Sequence, residues 1–494
     1  MNYISTRGNG GRVTAAGAIK QGLAKDGGLF MPESIPSLAP NELRELSLLS
    51  YPKRAARILS KFLTDYTYEE LLADCSEAYG ESRFPGGAAP ISAVGGALRI
   101  LELWHGPTAA FKDMALQIMP RLFVRALRKT DEKRTALILV ATSGDTGKAA
   151  LEGYKDVDGV RMAVFYPVDG VSRVQKLQMA TQEGNNVDVF AVRGNFDDAQ
   201  NGVKKIFSDP EAARLLDEKG YFFSSANSIN WGRLVPQIVY YVSAYCDLLS
   251  DGDIDDGEKV DICVPTGNFG NIFAAYIAKQ MGLPVGKLVC ASNANNVLTD
   301  FLRTGTYDRN RLFHTTMSPS MDILISSNLE RLLYLVCGSE ETAKYMNELA
   351  KTGKYTVSDQ VRERIAADFC GYCCDESNTA ATIKEIYEGF NYLSDTHSAV
   401  AINCAEAYLA DCSDTAARRI IVASTASPYK FASSVYTALT AKEAPEGTEA
   451  LYALTELTSV EITPPLAGLD KRTVRFTRVI DKEEMLGVVG EITD

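Results

Sequence analysis

Along most of the chain, short apolar runs alternate with longer stretches whose apolar positions recur every three or four residues. The runs at 98–103, 136–141, 162–166, 187–192, 260–264, 288–291 and 420–423 read as strands buried on both faces. The intervening amphipathic stretches read as helices, and this alternation predicts an α/β fold with largely parallel sheets. Two regions depart from the pattern. Residues 1–95 mix short helical segments with glycine and proline and close on Pro85-Gly86-Gly87, which reads as a linker. Residues 310–390 are rich in Glu, Lys, Arg, Leu and Ala at helical spacing with few strand signals, and predict a helical insertion or cap. A chain of 494 residues exceeds one ordinary core, and the expected division is an N-terminal domain at 1–95, a smaller α/β domain at 96–245 and a larger α/β domain at 246–494 that contains the insertion.

Charge narrows the function classes. With 63 acidic against 51 basic side chains the net charge is -12, which disfavours nucleic acid and anionic lipid as partners. No run approaches the roughly 20 apolar residues of a membrane span, and the opening MNYISTRGNGGRVT has no apolar signal core. The expected location is the cytoplasm. Ten cysteines lie scattered, several in apolar runs where a thiol acts as a small hydrophobe; Cys370, Cys373 and Cys374 have no histidine nearby to complete a metal site. Only His105, His314 and His397 occur, so neither a multi-histidine metal centre nor histidine-led nucleophilic catalysis is expected.

Three loops that follow predicted strands carry the candidate chemistry. The first reads WHGPTAAFKDMALQ and places Lys112 in the first turn of a helix, at the kind of strand-to-helix junction where α/β sheets bind ligands. A helix N-terminus there would lower the lysine pKa and favour a neutral, nucleophilic amine. A solvated surface lysine is the structural alternative. The second loop, PTGNFGN, has Gly267 and Gly270, which suit positive φ and close backbone approach, ahead of a helix whose free N–H groups face an anion. It suits a permanently held phosphate, although an ordinary glycine-rich turn has the same composition. The third, ATSGDTGKAA, is rich in hydroxyl and amide donors. It does not fit a Walker A loop, because Thr142 stands at the first glycine position and Ala149 at the magnesium-binding hydroxyl.

HGPTAAFKD, SGDTG and GNFG, in this order, resemble the threonine synthase family of fold-type II pyridoxal-phosphate enzymes, a tryptophan synthase β-like fold, in its longer form. The resemblance extends to STRG at 5–8, GLAKDGGLFMPE at 22–33, SANSINWGRL at 225–234, SPSMDILISSNLERLL at 318–333, DTHSAVA at 395–401 and STASPYKF at 424–431. It implies a pyridoxal 5'-phosphate cofactor on Lys112 as the Schiff-base lysine. The cofactor phosphate would rest on Gly267, Asn268, Phe269, Gly270 and Asn271, and the Thr425 hydroxyl would face the pyridine nitrogen. It further implies O-phosphohomoserine as substrate, converted with water to threonine and phosphate by a monomer or homodimer. The substrate carboxylate is expected on Thr142, Ser143, Gly144, Asp145 and Thr146, and its phosphate on Asn230 and Arg233. An ion pair on a helix surface is the alternative for Arg233, and a helix cap near Tyr429 for Thr425. The chain departs from the family pattern at Ser427, where histidine is more usual, and at Asn271, where aspartate is. The same fold also serves O-phosphohomoserine phospholyases and serine or threonine dehydratases, which remain alternatives.

Overall fold

The computed structural model describes residues 1–169, 171–412 and 418–493. Two sheets organise the chain. One has six strands in the order Phe369–Cys373, Val285–Ser292, Val260–Pro265, Ile420–Ser424, Leu98–Glu102 and Ile91–Val94, parallel except for the last pair. The other has five parallel strands, in the order Val479–Ile480, Val187–Val192, Val160–Pro167, Thr135–Ala141 and Tyr221–Ser224. A small antiparallel sheet of Arg12–Val13, Tyr3–Ser5 and Phe30–Pro32 belongs to the N-terminal segment. Every expected strand is present, because a short run of Val, Ile, Leu and Ala buried on both faces has few other places to go.

Sheet membership differs from the expected division in three places. Leu98–Glu102, the strand that leads to Lys112, pairs with Ile420–Ser424 rather than with the strands of 135–224. Val479–Ile480 crosses over to pair with Val187–Val192. Phe369–Cys373, inside the supposed helical insertion, is an edge strand beside Val285–Ser292. Apolar runs record that a strand is buried but not against which neighbour, and an edge strand such as FCGYC buries only alternate residues, so its signal is weak. The rest of 310–390 is largely helical, with helices Leu329–Thr352, Asp359–Asp368 and Glu376–Phe390.

The helix Trp231–Ser250 joins the layers and is buried along most of its length. Trp231 at its start lies against Tyr3 and Phe62, with ring centroids 5.5 and 5.9 Å away, and so fixes the N-terminal segment to the body. Arg54 reaches the same helix, donating to the Ser243 hydroxyl at 2.8 Å and pairing with Asp247. No helix among the described residues is long and apolar enough to cross a membrane.

Candidate active site

Three neighbouring parallel strands, Val260–Pro265, Ile420–Ser424 and Leu98–Glu102, end side by side, so the loops carrying Gly267, Thr425 and Lys112 emerge at one edge. Carboxyl ends of parallel strands are where such sheets bind ligands. The Lys112 and Thr425 loops are stitched together: Phe111 N donates to Thr425 O at 2.8 Å and Ser427 N to Ala109 O at 3.1 Å. Ala109 takes a left-handed φ of 59°, a strained conformation for a residue with a Cβ, held by these two bonds and the packing around them. Asp113 secures the loop from the other side, its carboxylate accepting from Thr108 N at 2.8 Å and Thr108 Oγ1 at 2.7 Å. Burial pushes the Asp113 carboxyl up to about 6.

Lys112 immediately precedes the short helix Asp113–Leu116 and is buried, so it is not a surface lysine. Its Nζ lies 3.4 Å from Asp145 Oδ2 and 3.4 Å from Ser320 Oγ. Burial lowers the pKa of this amine; the Asp145 carboxylate opposes the shift, and the cations of Lys430 and Arg233 reinforce it. A helix of four residues has little dipole, so burial and nearby cations, rather than the helix end, favour the neutral amine.

Asp145, in the SGDTG loop, lies among cations. Lys430 Nζ stands 2.7 Å from its Oδ1 and also donates to Thr108 O at 2.9 Å. Gln175 Nε2 donates to the same Oδ1 at 2.8 Å. Burial alone would raise the Asp145 pKa, but the two lysines outweigh it and hold the carboxylate well below its usual range. In the same loop, Thr142 Oγ1 accepts from Gly144 N at 3.0 Å and Gly147 N at 2.9 Å, so these two amides are used within the loop and are not donors for a ligand. Ser143 and Thr146 are half-buried and keep their hydroxyls unpartnered among the described residues. Gly144, at φ 140°, has no room for a side chain: a Cβ would lie 2.5 Å from Gln175.

The GNFG loop has the expected form but not the expected strain. Neither Gly267 nor Gly270 has positive φ; the left-handed residue is Phe269, at 63°, which starts the helix Gly270–Gln280. Gly267 is required for close approach, since a Cβ there would sit 2.7 Å from the Ser320 carbonyl oxygen. Asn271 Oδ1 accepts from the hydroxyls of Tyr240, at 2.8 Å, and Tyr241, which leaves its buried Nδ2 oriented and without a partner. A helix N-terminus, a loop too tight for a Cβ and a buried orphan amide donor together fit a phosphate held by fixed N–H groups. These residues therefore suit the phosphate of pyridoxal phosphate, with Lys112 as its amine.

Of the two residues expected to clamp the substrate phosphate, the structure allows one. Arg233 is buried, donates through Nη1 to Ala226 O at 2.6 Å and leaves Nε unpartnered. Among the described residues no carboxylate pairs with it, and it is buried, so the structure shows no surface ion pair here; burial pushes its pKa down to about 10. Asn230 is different. Its Nδ2 donates to Ile19 O and Ser225 O, both at 2.9 Å, and its Oδ1 accepts from Gly232 N at 2.9 Å. Both amide protons are committed, so Asn230 is a structural tie between the N-terminal segment and the Trp231–Ser250 helix. Thr425 does not cap the helical turn near Tyr429; Ser427 does, accepting from Tyr429 N at 3.3 Å and lying 2.5 Å from Thr463 Oγ1.

Lys430, Gln175 and Ser320 border Lys112 or Asp145 and were not singled out by the sequence reading. Lys430 had a signal: a lysine inside the apolar PYKFA run is either misplaced or paired, and here it is paired. Ser320 lies within SPSMD and has no residue-level signature.

The family described as "Pyridoxal-phosphate dependent enzyme" matches residues 89–425, "Threonine synthase N terminus" matches 2–79 and "Threonine synthase, C-terminal" matches 398–486. The chain is 41% identical to Threonine synthase-like 1 of Homo sapiens over 91% of its length, and spans 61% of that longer protein. It is 38% identical to the threonine synthase of Pseudomonas aeruginosa, over 88% of this chain and 90% of that one. The crystal structure of pyridoxal-phosphate-bound threonine synthase from Brucella melitensis superposes with a TM-score of 0.87 at 36% identity, covering 100% of this chain and 98% of the other. With all three regions matched in order on one fold, the chain belongs to the threonine synthase family of pyridoxal-phosphate-dependent enzymes.

Proposed function

We propose that the protein is a threonine synthase, a lyase that converts O-phosphohomoserine and water to threonine and phosphate. The observation that carries this reading is the placement of Lys112, a buried amine with a depressed pKa, beside an anion cradle and within the field of Arg233. When bound, pyridoxal phosphate supplies the electron sink for charge developed next to the substrate amino group. Gly267 to Asn271 would hold its phosphate, and Thr425, buried at the end of the neighbouring strand, would supply a neutral hydroxyl to its ring.

Lys112 Nζ takes the proton from the substrate α-carbon and delivers protons in the later steps, one amine serving as base and then acid. Asp145 stays ionised and holds the amine in place through its Oδ2, while Lys430 and Gln175 occupy its other oxygen. The Ser143 and Thr146 hydroxyls accommodate the substrate carboxylate. The Arg233 guanidinium, short of one partner, takes the substrate phosphate. Buried thiols such as Cys75, Cys263 and Cys290 suit a reducing compartment such as the cytoplasm.

Product analysis tests the reading. With O-phosphohomoserine as sole substrate, threonine is the expected carbon product. Its replacement by 2-oxobutanoate would assign the chain to a phospholyase or dehydratase reaction.

A further inference from the structure

Ser320, the second polar neighbour of Lys112 Nζ beside Asp145, contributes twice to the site. Its hydroxyl lies 3.4 Å from Lys112 Nζ, and its carbonyl oxygen faces Gly267 so closely that a Cβ there would come within 2.7 Å. The backbone of Ser320 is held in turn by one side chain: Ser320 N donates to His397 Nε2 at 3.0 Å.

An imidazole nitrogen that accepts from a backbone N–H carries no proton of its own. The proton of the neutral ring is therefore on Nδ1, which lies 3.0 Å from Asp395 Oδ1. Asp395 cannot turn away, because its carboxylate also caps the helix Thr396–Asp411, accepting from His397 N at 2.8 Å and Ser398 N at 3.3 Å, and is bonded by the Ser398 hydroxyl. Phe431 packs on the ring at a centroid distance of 4.7 Å. With Nε2 accepting from Ser320 and Nδ1 facing Asp395, both ring nitrogens are engaged and the orientation of the ring is fixed.

We infer that His397 is a positioning residue, an imidazole oriented by Asp395 that fixes the Ser320 backbone and thereby sets both the hydroxyl beside Lys112 and the rear wall of the phosphate loop. It acts through Ser320, whose backbone N–H it accepts from. The inference rests on the reading of Lys112 as the lysine that carries the cofactor. The other charged groups facing Lys112 are Asp145, Lys430 and Arg233, none of which has a hydrogen bond or ion pair to His397 among the described residues; Lys430 adjoins Phe431, so the Ser320→Ala variant serves as the reference for an effect through Ser320. A change in the Lys112 nitrogen on altering His397 therefore reports on Ser320.

The test compares His397→Gln, whose amide oxygen reaches the place of Nε2, with His397→Asn, equally polar but too short, and with Ser320→Ala. Each is prepared as holoenzyme, the absorbance of the bound cofactor is titrated with pH, and borohydride reduction followed by peptide mapping locates the cofactor. The Ser320 hydroxyl accepts from the protonated nitrogen, so its loss or displacement lowers the titration midpoint, by about half to one pH unit for one such hydrogen bond. Ser320→Ala and His397→Asn are expected to fall together, with faster loss of cofactor in His397→Asn, and His397→Gln to recover most of both properties. Midpoints equal to wild type in Ser320→Ala or His397→Asn, with the label on Lys112, would overturn the inference and leave the Lys112 reading intact. His397→Gln behaving as badly as His397→Asn would overturn it as well. A label on another lysine would overturn both.

Discussion

Lys112 and Lys430 share a single carboxylate: Lys430 Nζ lies 2.7 Å from Asp145 Oδ1 and Lys112 Nζ lies 3.4 Å from Oδ2. Lys112 also faces the cations of Lys430 and Arg233, whereas Lys430 has a second buried carboxyl, Asp113, in its field. Lys430 has the shorter contact and a second acceptor in Thr108 O, so Lys112 is the amine that gives up its proton. Lys430→Met removes the competing cation and leaves Asp145 to Lys112 alone, both of which raise the Lys112 pKa. Cofactor uptake by the apo-protein, followed by absorbance near neutral pH, is expected to slow on the order of tenfold, with its pH dependence moved to higher pH. An unmoved profile would show that Lys430 does not set the charge on Lys112.

Arg233 separates binding from stability. It is a buried cation with no carboxylate partner among the described residues, and such a group contributes little to folding. Arg233→Met should leave the urea midpoint near that of wild type and lower kcat/KM about 10- to 100-fold, the effect of one lost charge-assisted contact. A destabilised protein with unchanged kcat/KM would identify Arg233 as a structural group.

Asn230 should behave in the opposite way. Three buried hydrogen bonds, one of them a helix cap, depend on its amide. Asn230→Ala is expected to cost about 2–4 kcal/mol of stability by chemical denaturation with an unaltered KM for O-phosphohomoserine. A raised KM without loss of stability would return it to the substrate site.

The two glycines of the phosphate loop differ. Gly267→Ala forces a Cβ against the Ser320 carbonyl oxygen at 2.7 Å, whereas at Gly270 the nearest atom, Asn328 Nδ2, is 3.4 Å away. Cofactor affinity measured by equilibrium dialysis should fall roughly tenfold or more for Gly267→Ala, since backbone must move to relieve the clash, and change little for Gly270→Ala. Equal effects would mean that the anion rests elsewhere.

The contrast between these residues marks what the sequence carried. Strands such as 187–192 and loops such as GNFG were legible because burial on both faces and glycine-rich turns leave a local signature. Lys112 was legible from the motif around it. The pairing of Leu98–Glu102 with Ile420–Ser424 was not, because contacts across more than 300 residues have no local period. Asn230 and Arg233, three residues apart in one motif, differ in that the Asn230 amide is fully hydrogen-bonded whereas Arg233 Nε is not, and only the partners of each side chain separate them. Phe269 rather than a glycine takes the left-handed φ because the helix start, not composition, places the turn. His397 and Ser320 were hidden for the same reason, since one acts on the other through a backbone amide.

The central claim is that Lys112 is the amine on which threonine formation depends. The most direct measurement is the amount of threonine and of phosphate formed from O-phosphohomoserine in the same sample, by the wild type and by Lys112→Ala, with the fold of each checked by circular dichroism. The account predicts equal amounts of the two products from the wild type and neither from a folded Lys112→Ala. Threonine formed by Lys112→Ala at more than a trace rate, or phosphate released by the wild type without threonine, would contradict it.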